Sequence, residues 1–262
     1  MKCQSCFQTK EYDLPKQLIE DYKEKGHVKI PQLATKEEIA LIRPTILKVF
    51  QHNMLHSEDY GKGKSFPKVV NLWELHKCLQ HFIWSRRFAK VAAQLMNTSA
   101  VRLYHDSALF LEPGGEDTPW HQDKTYAQVD ANKMVTLWMP LIDLPEEIGS
   151  MQFIDGSHKD ELEVQFMDLI RKGLPLSSYD ALQAGDATFH SGWTLHYAPK
   201  NNTSLLREVI TIVYYDADAK IINPSNHSGR VHIDRLFPGM NPGDVAASKL
   251  NPVLYSAKGD VF

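Results

Sequence analysis

Between residues 101 and 215 the chain is cut into short apolar, β-branched runs separated by turn residues, and this pattern restricts the fold more than any other feature. The runs are Val101 to Leu111, Met134 to Ile142, Met151 to Ile154, Ala187 to His190 and Leu206 to Tyr215. Gly114-Gly115, Asp143 to Gly149, Asp155-Gly156, Gly173 to Pro175 and Pro199 to Asn202 supply the turns. Strands at such spacing predict a β-sandwich or jelly roll. Upstream, the pattern is helical. Thr35 followed by Glu38 is a capping-box signature, and Ile39, Ile42, Ile46, Leu47 and Phe50 then recur at helical spacing, predicting a helix from 36 to 51 with a kink at Pro44. Phe88, Val91, Ala92 and Leu95 predict a second helix from Ser85 to Met96.

No repeat or low-complexity linker divides the sequence, so one domain over 1–262 is expected. Residues 1–99 form a mostly helical region packed on a core at 100–216. The segment 217–262, rich in Pro, Gly and Asn, reads as loops and a candidate lid. With 29 basic and 32 acidic residues the net charge is −3, which supplies no global field for nucleic acid or anionic lipid. No apolar run approaches the roughly 20 residues that cross a bilayer, and the first residues carry no apolar signal core, so a cytoplasmic protein is expected. Cys3, Cys6 and Cys78 are too few to staple a domain of this size, and disulfides are not expected to hold the fold.

Twelve histidines raise the question of which converge on a metal. In a strand, residues i and i+2 share a face, so His-x-Asp can offer two ligands to one ion. The pattern occurs at His121/Asp123, His158/Asp160 and His232/Asp234. A third ligand from a later strand would complete a two-histidine, one-carboxylate face. No histidine follows His232. His158 leads into Asp160-Glu161-Leu162-Glu163, which reads as a helix start, where i and i+2 diverge. His121 and Asp123 remain, although a surface pair would look the same, and His190 and His196 are both available as third ligand. Arg207 enters the apolar run Val209 to Tyr215. A buried guanidinium keeps its charge and five donors, so it requires an anionic partner, either a ligand or a neighbouring carboxylate.

Taken together, these segments resemble the phytanoyl-CoA dioxygenase family of iron(II)- and 2-oxoglutarate-dependent oxygenases. The resemblance runs, in order, through Tyr22 to Pro31, Leu33 to Ile39, Trp120-His121-Gln122-Asp123, Val135 to Leu141, Gly149 to His158 and Leu195 to Asn201, with Arg207 eleven residues beyond His196. It implies a mainly β fold with flanking helices around a double-stranded β-helix, a cupin-like jelly roll. It implies His121, Asp123 and His196 as ligands of Fe(II), the distal spacing choosing His196 over His190. Arg207 would pair with the far carboxylate of 2-oxoglutarate, and Gln122, Thr136, Trp138 and Leu103 would line the cosubstrate pocket. His158 would be structural and His190 a packed core histidine. Ala198 stands where a small hydroxyl residue is common, and Asp155 where proline is usual.

The resemblance also implies the reaction: with O2 as the other cosubstrate, 2-oxoglutarate is oxidatively decarboxylated to succinate and CO2 while an unactivated C–H of a small molecule is hydroxylated. Because Asp123 is a carboxylate, hydroxylation is favoured over halogenation. Desaturation, epoxidation and ring closure are alternative outcomes. Trp120, Tyr126 and Trp193 are candidate substrate contacts, with the loop Gly61 to Val70 and the tail around His232 to Phe237. No basic cluster is evident beside the core motifs, so a polar or alkaloid-like natural product is expected ahead of an acyl-CoA or amino-acid-like substrate. Two other classes compete: a zinc hydrolase using the same three ligands, and a non-catalytic jelly-roll module in which the aromatic residues stack a ligand.

Overall fold

In the computed structural model, residue 7 and residues 12–55, 68–224 and 227–259 are described. Cys3, Cys6 and the segment 61–67, named above, lie outside them. A run of helices precedes the main strands, as the apolar spacing predicts: α1 (Lys16–Lys25), α2 (Lys36–Leu55), α3 (Leu72–Leu75), α4 (Lys77–Ile83) and α5 (Arg86–Met96). The capping box closes α2, with the Thr35 N–H donating to Glu38 Oε2 (2.9 Å) and the Glu38 N–H to Thr35 Oγ1 (3.2 Å). The helix continues through Pro44, whose ring is exposed, and runs to Leu55.

The five anticipated runs become β3 (Ala100–Leu111), β5 (Met134–Pro140), β6 (Gln152–Ile154), β8 (Ala187–Ser191) and β10 (Arg207–Asp216). Six shorter strands join them: β1 (His27–Ile30), β2 (Lys68–Val70), β4 (Thr118–His121), β7 (Leu176–Ser178), β9 (His196–Ala198) and β11 (Val253–Ser256). All pair antiparallel, in a seven-stranded sheet ordered β1-β8-β5-β10-β3-β11, with β2 also on β3, and a four-stranded sheet ordered β4-β9-β6-β7.

Alternation divides the larger sheet. Val135, Leu137, Phe189, Ile210 and Ile212 face a core shared with Ile42, Ile46, Phe82, Phe88 and Val91 of the helices. The opposite face meets the smaller sheet, where Trp138 and Val209 pack with Phe153 and Ala198. This is the jelly-roll arrangement expected of the core. A polar clamp ties its layers: buried His27 on β1 shares hydrogen bonds of 2.8 Å with Asp155 and with Tyr179, and stacks on Phe153 of β6. Gly26, just before it, has φ +86°, and a Cβ there would come within 2.4 Å of His158 Nδ1. Only glycine takes that conformation and that approach cheaply.

Three expectations need correction. The tail beyond 217 is not all loop: it contains α7 (His227–Leu236) and β11, and Ile233, Leu236 and Phe237 pack under Tyr104 and Tyr215. The segment after Asp155 is a succession of turns rather than a helix start, and the next helix, α6 (Phe166–Arg171), begins later. Cys78, buried at the start of α4, is disulfide-bonded, where, from the cysteine count, no disulfide is expected to hold the fold. No helix among the described residues is long and apolar enough to cross a membrane.

Candidate metal centre and cosubstrate pocket

His121 closes β4, Asp123 opens the following 3-10 turn, and His196 opens β9, which pairs with β4 so that His121 and His196 are directly opposed. One ligand atom from each of the three lies within 4.8 Å of the others. The imidazoles are oriented from behind. His121 Nδ1 donates to the Pro119 carbonyl (2.8 Å) and His196 Nδ1 to the Thr194 carbonyl (2.9 Å), which turns both Nε2 atoms toward Asp123 Oδ1, at 3.6 and 3.7 Å.

The other carboxylate oxygen is already held. Thr136 Oγ1 donates to Asp123 Oδ2 at 2.6 Å, and His190 Nε2 at 3.2 Å. Burial pushes the Asp123 carboxyl up, but His196, His121 and His190 outweigh it and keep the group well below the usual carboxylate range. Burial, then the neighbouring His190, drives His196 down to about 3, so it is a neutral imidazole. At His121, by contrast, burial is outweighed by Asp123 and the Pro119 carbonyl, which raise it; one ionised oxygen and two Nε2 atoms, each fixed by a partner behind it, are the donor set of a two-histidine, one-carboxylate metal face. His190 is therefore more than a packed core histidine: it is buried, as expected, yet it bonds the central carboxylate.

The triad opens into a cavity of about 610 Å³ between the sheets, lined also by Thr136, Trp138, Trp120, Tyr126 and Arg207. Arg207, 3% exposed at the start of β10, donates to the Pro199 carbonyl (3.0 Å) and forms no ion pair among the described residues. The carboxylate beside it in sequence, Glu208, points away and takes a bidentate pair from Arg43 (2.6 and 2.7 Å). Burial alone lowers Arg207 to about 10. The alternative of a salt bridge with a neighbour thus fails, and a buried guanidinium faces the cavity with donors to spare.

Three predicted pocket residues lie elsewhere. Gln122 is buried outside the cavity: its amide donates to the Leu162 (3.1 Å) and Trp193 (2.7 Å) carbonyls and accepts the Val164 N–H (2.9 Å). It fastens the 162–164 loop to the turn after β8. Gln122→Leu removes three bonds from buried backbone groups and is expected to cost about 2–4 kcal/mol, lowering Tm by roughly 5–15 °C in a thermal scan, with cosubstrate affinity moving less than about threefold. Leu103 faces the helical core instead. The register opposes Val213 to His105 and Tyr214 to Leu103, leaving Tyr104 as the extra residue of a β-bulge. The bulge reverses the alternation, so His105, Ser107 and Leu109 line the cavity while Leu103 does not. Trp193 sits outside as well, with Lys124 Nζ 5.5 Å from its ring centre. Trp120 and Tyr126 line the cavity; the Trp120 ring stacks on Phe166 and Tyr197 at 4.5 and 5.3 Å, and Tyr126 is 62% exposed.

The structure also assembles what the sequence reading did not see. Lys68 of β2, His105 of β3, and His232 and Arg235 of α7 all line the same cavity, so basic side chains 167 residues apart in the chain do cluster there. Of the parts anticipated as pocket walls, Lys68 and Val70 from the end of the 61–70 loop, and His232, Arg235 and Leu236 from the tail, take that position.

The fold has counterparts. The chain is 24% identical over 223 residues to a probable alpha-ketoglutarate-dependent hypophosphite dioxygenase of Stutzerimonas stutzeri, covering 76% of this chain and 78% of that one. Among solved structures it is similar to the non-heme alpha-ketoglutarate-dependent carbocyclase SnoK from nogalamycin biosynthesis, at 26% identity and TM-score 0.76, over 92% of this chain and 96% of that one. The epimerase SnoN, solved with Fe3+, alpha-ketoglutarate and nogalamycin RO, superposes with TM-score 0.75 at 24% identity, over 91% of this chain and 98% of that one. The family profile of phytanoyl-CoA dioxygenase (PhyH) matches residues 22–209, most of the chain and a span that includes His121, Asp123, His196 and Arg207, so this protein belongs to the phytanoyl-CoA dioxygenase family.

Proposed function

We propose that this chain is an iron(II)- and 2-oxoglutarate-dependent dioxygenase that hydroxylates an unactivated C–H of a small-molecule substrate, with release of succinate and CO2. One observation carries the reading: a preoriented His121, Asp123 and His196 face and a buried Arg207 without a carboxylate partner among the described residues open into the same cavity. When bound, the metal, with O2 and 2-oxoglutarate, supplies the oxidising chemistry.

The protein's share is orientation. Pro119 and Thr194 carbonyls hold the two imidazoles, while Thr136 and His190 hold Asp123 Oδ2 and leave Oδ1 for the metal. Arg207 receives the far carboxylate of 2-oxoglutarate through a planar fork, which fixes the end of the molecule that does not react. Trp138, Met151 and Val209 give that region an apolar wall that excludes water. A zinc hydrolase built on the same triad would leave Arg207 without a role. The relatives named for hypophosphite oxidation, ring closure and epimerisation support the cofactor pair rather than one outcome. The two nogalamycin enzymes favour a natural-product substrate.

The test is an anaerobic titration with Fe(II) and then 2-oxoglutarate, followed by visible absorption. A weak charge-transfer band appearing only with both present supports the reading. Iron binding without a band, at saturating 2-oxoglutarate, overturns it.

A further inference from the structure

The half of the cavity lined by β2, β3 and α7 is basic. Lys68 comes from β2, which lies on the far side of β3 from β10 and its Arg207. His105 stands opposite Val213, six residues along β10 from Arg207, which is roughly 20 Å of strand. His232 and Arg235 project from one turn of α7 into the same space. Among the described residues, Lys68, His105, His232 and Arg235 form no ion pair, and the only acidic residue lining the cavity is Asp123, whose Oδ2 is held by Thr136 and His190 and whose Oδ1 faces the His121 and His196 imidazoles. His105 registers this field: burial lowers it to about 4, and Lys68, Arg235 and His232 push in the same direction against Asp123. Its Nδ1 is buried with no hydrogen-bond partner. A five-carbon diacid held by Arg207 is too short to reach His105, whereas Lys68, in register with Leu109 and through it with Val209, lies nearer the arginine; at the His105 end of the cavity the basic side chains have no anion to serve in the cosubstrate. Between them and the triad the walls are apolar, with Val70, Leu109, Val213 and Leu236.

We infer that Lys68, Arg235 and His232, with His105 beneath them, dock the oxyanion of the substrate, a carboxylate, phosphonate or phosphate, while its apolar part lies along the cavity toward the triad. The inference rests on the dioxygenase reading for the direction in which the substrate extends. The basic cluster sets specificity: a neutral or cationic molecule of the same shape forgoes the attraction of Lys68 and Arg235. This reverses the alkaloid-like expectation drawn from sequence.

The experiment compares octylphosphonate, octanoate and octanamide binding, by calorimetry under nitrogen, to protein loaded with Fe(II) and 2-oxoglutarate. Both anions are expected to bind at least tenfold more tightly than the amide, and the advantage should shrink at high salt. In the K68Q/R235Q double variant the advantage should disappear while the charge-transfer band of bound 2-oxoglutarate persists, which shows the variant folded. A stronger response to octylphosphonate than to octanoate would assign the docked group as phosphoryl, and the reverse as carboxylate. Equal affinity for anion and amide, failure of both anions to bind, or an anion advantage that survives the double substitution overturns the inference. The dioxygenase reading is scored separately in the same samples: a missing band counts against that reading, and a missing anion preference against this one.

Discussion

Asp123→Ala is expected to abolish 2-oxoglutarate turnover and to weaken iron binding by more than about 100-fold, because it deletes the only anionic member of the triad. The substitution does more than remove a ligand. Thr136 Oγ1 and His190 Nε2, which both donate to Asp123 Oδ2, lose their acceptor inside a buried site. The assay is iron content after anaerobic gel filtration, read beside far-UV circular dichroism. His190→Ala makes the contrast: it removes one of two donors behind the carboxylate and should keep stoichiometric iron at an affinity lowered by roughly 10–100-fold. Loss of iron from the His190 variant, with retention in His196→Ala, would exchange the two histidines' roles.

Arg207→Ala should leave iron binding intact and weaken 2-oxoglutarate by about 3–5 kcal/mol, or about two to four orders of magnitude in the concentration that half-saturates the charge-transfer band. Magnitude decides the matter here. An exposed ion pair contributes at most about 1 kcal/mol, whereas Arg207 is 3% exposed and burial has already lowered it to about 10. A guanidinium in that state gains most from an anion that enters the cavity. Arg207→Lys should recover only part of the loss, since an ammonium cannot reproduce two parallel bonds to one carboxylate. A half-saturation shift under threefold in Arg207→Ala would remove the arginine from the cosubstrate site.

How far the site was legible depends on sequence distance and on parity. The long runs that became β3, β5, β8 and β10 announced themselves through β-branched composition, and α2 and α5 through apolar spacing. Strands of three or four residues, such as β2, β7 and β9, are too short to show a period, and their position is set by the partner strand. The triad was legible because His121 and Asp123 are neighbours and the family spacing supplied His196. Leu103 was placed in the pocket by family resemblance, and the bulge at Tyr104, which no local pattern announces, turns it to the helical core instead. Gln122 sits between two residues of the triad and was assigned to the pocket with them, yet its amide is spent on backbone groups of the 162–164 loop and the post-β8 turn. The basic cluster was invisible for a different reason. Its members come from positions 68, 105, 232 and 235, and only the pairing of β2 with β3 and the seating of α7 bring them together.

The strand order of the larger sheet bears on how the protein is made. β1 at residues 27–30 pairs with β8 at 187–190, and β11 at 253–256 pairs with β3 at 100–102. Both outer strands are therefore contributed from opposite ends of the described chain, each closing a loop of more than 140 residues. A nascent chain emerging from the ribosome can build its helices early, but it must hold β3 with part of its edge unsatisfied until residue 256 arrives. Such distant pairing makes for high contact order and slow folding. The interval of vulnerability to edge-to-edge association thus coincides with synthesis itself.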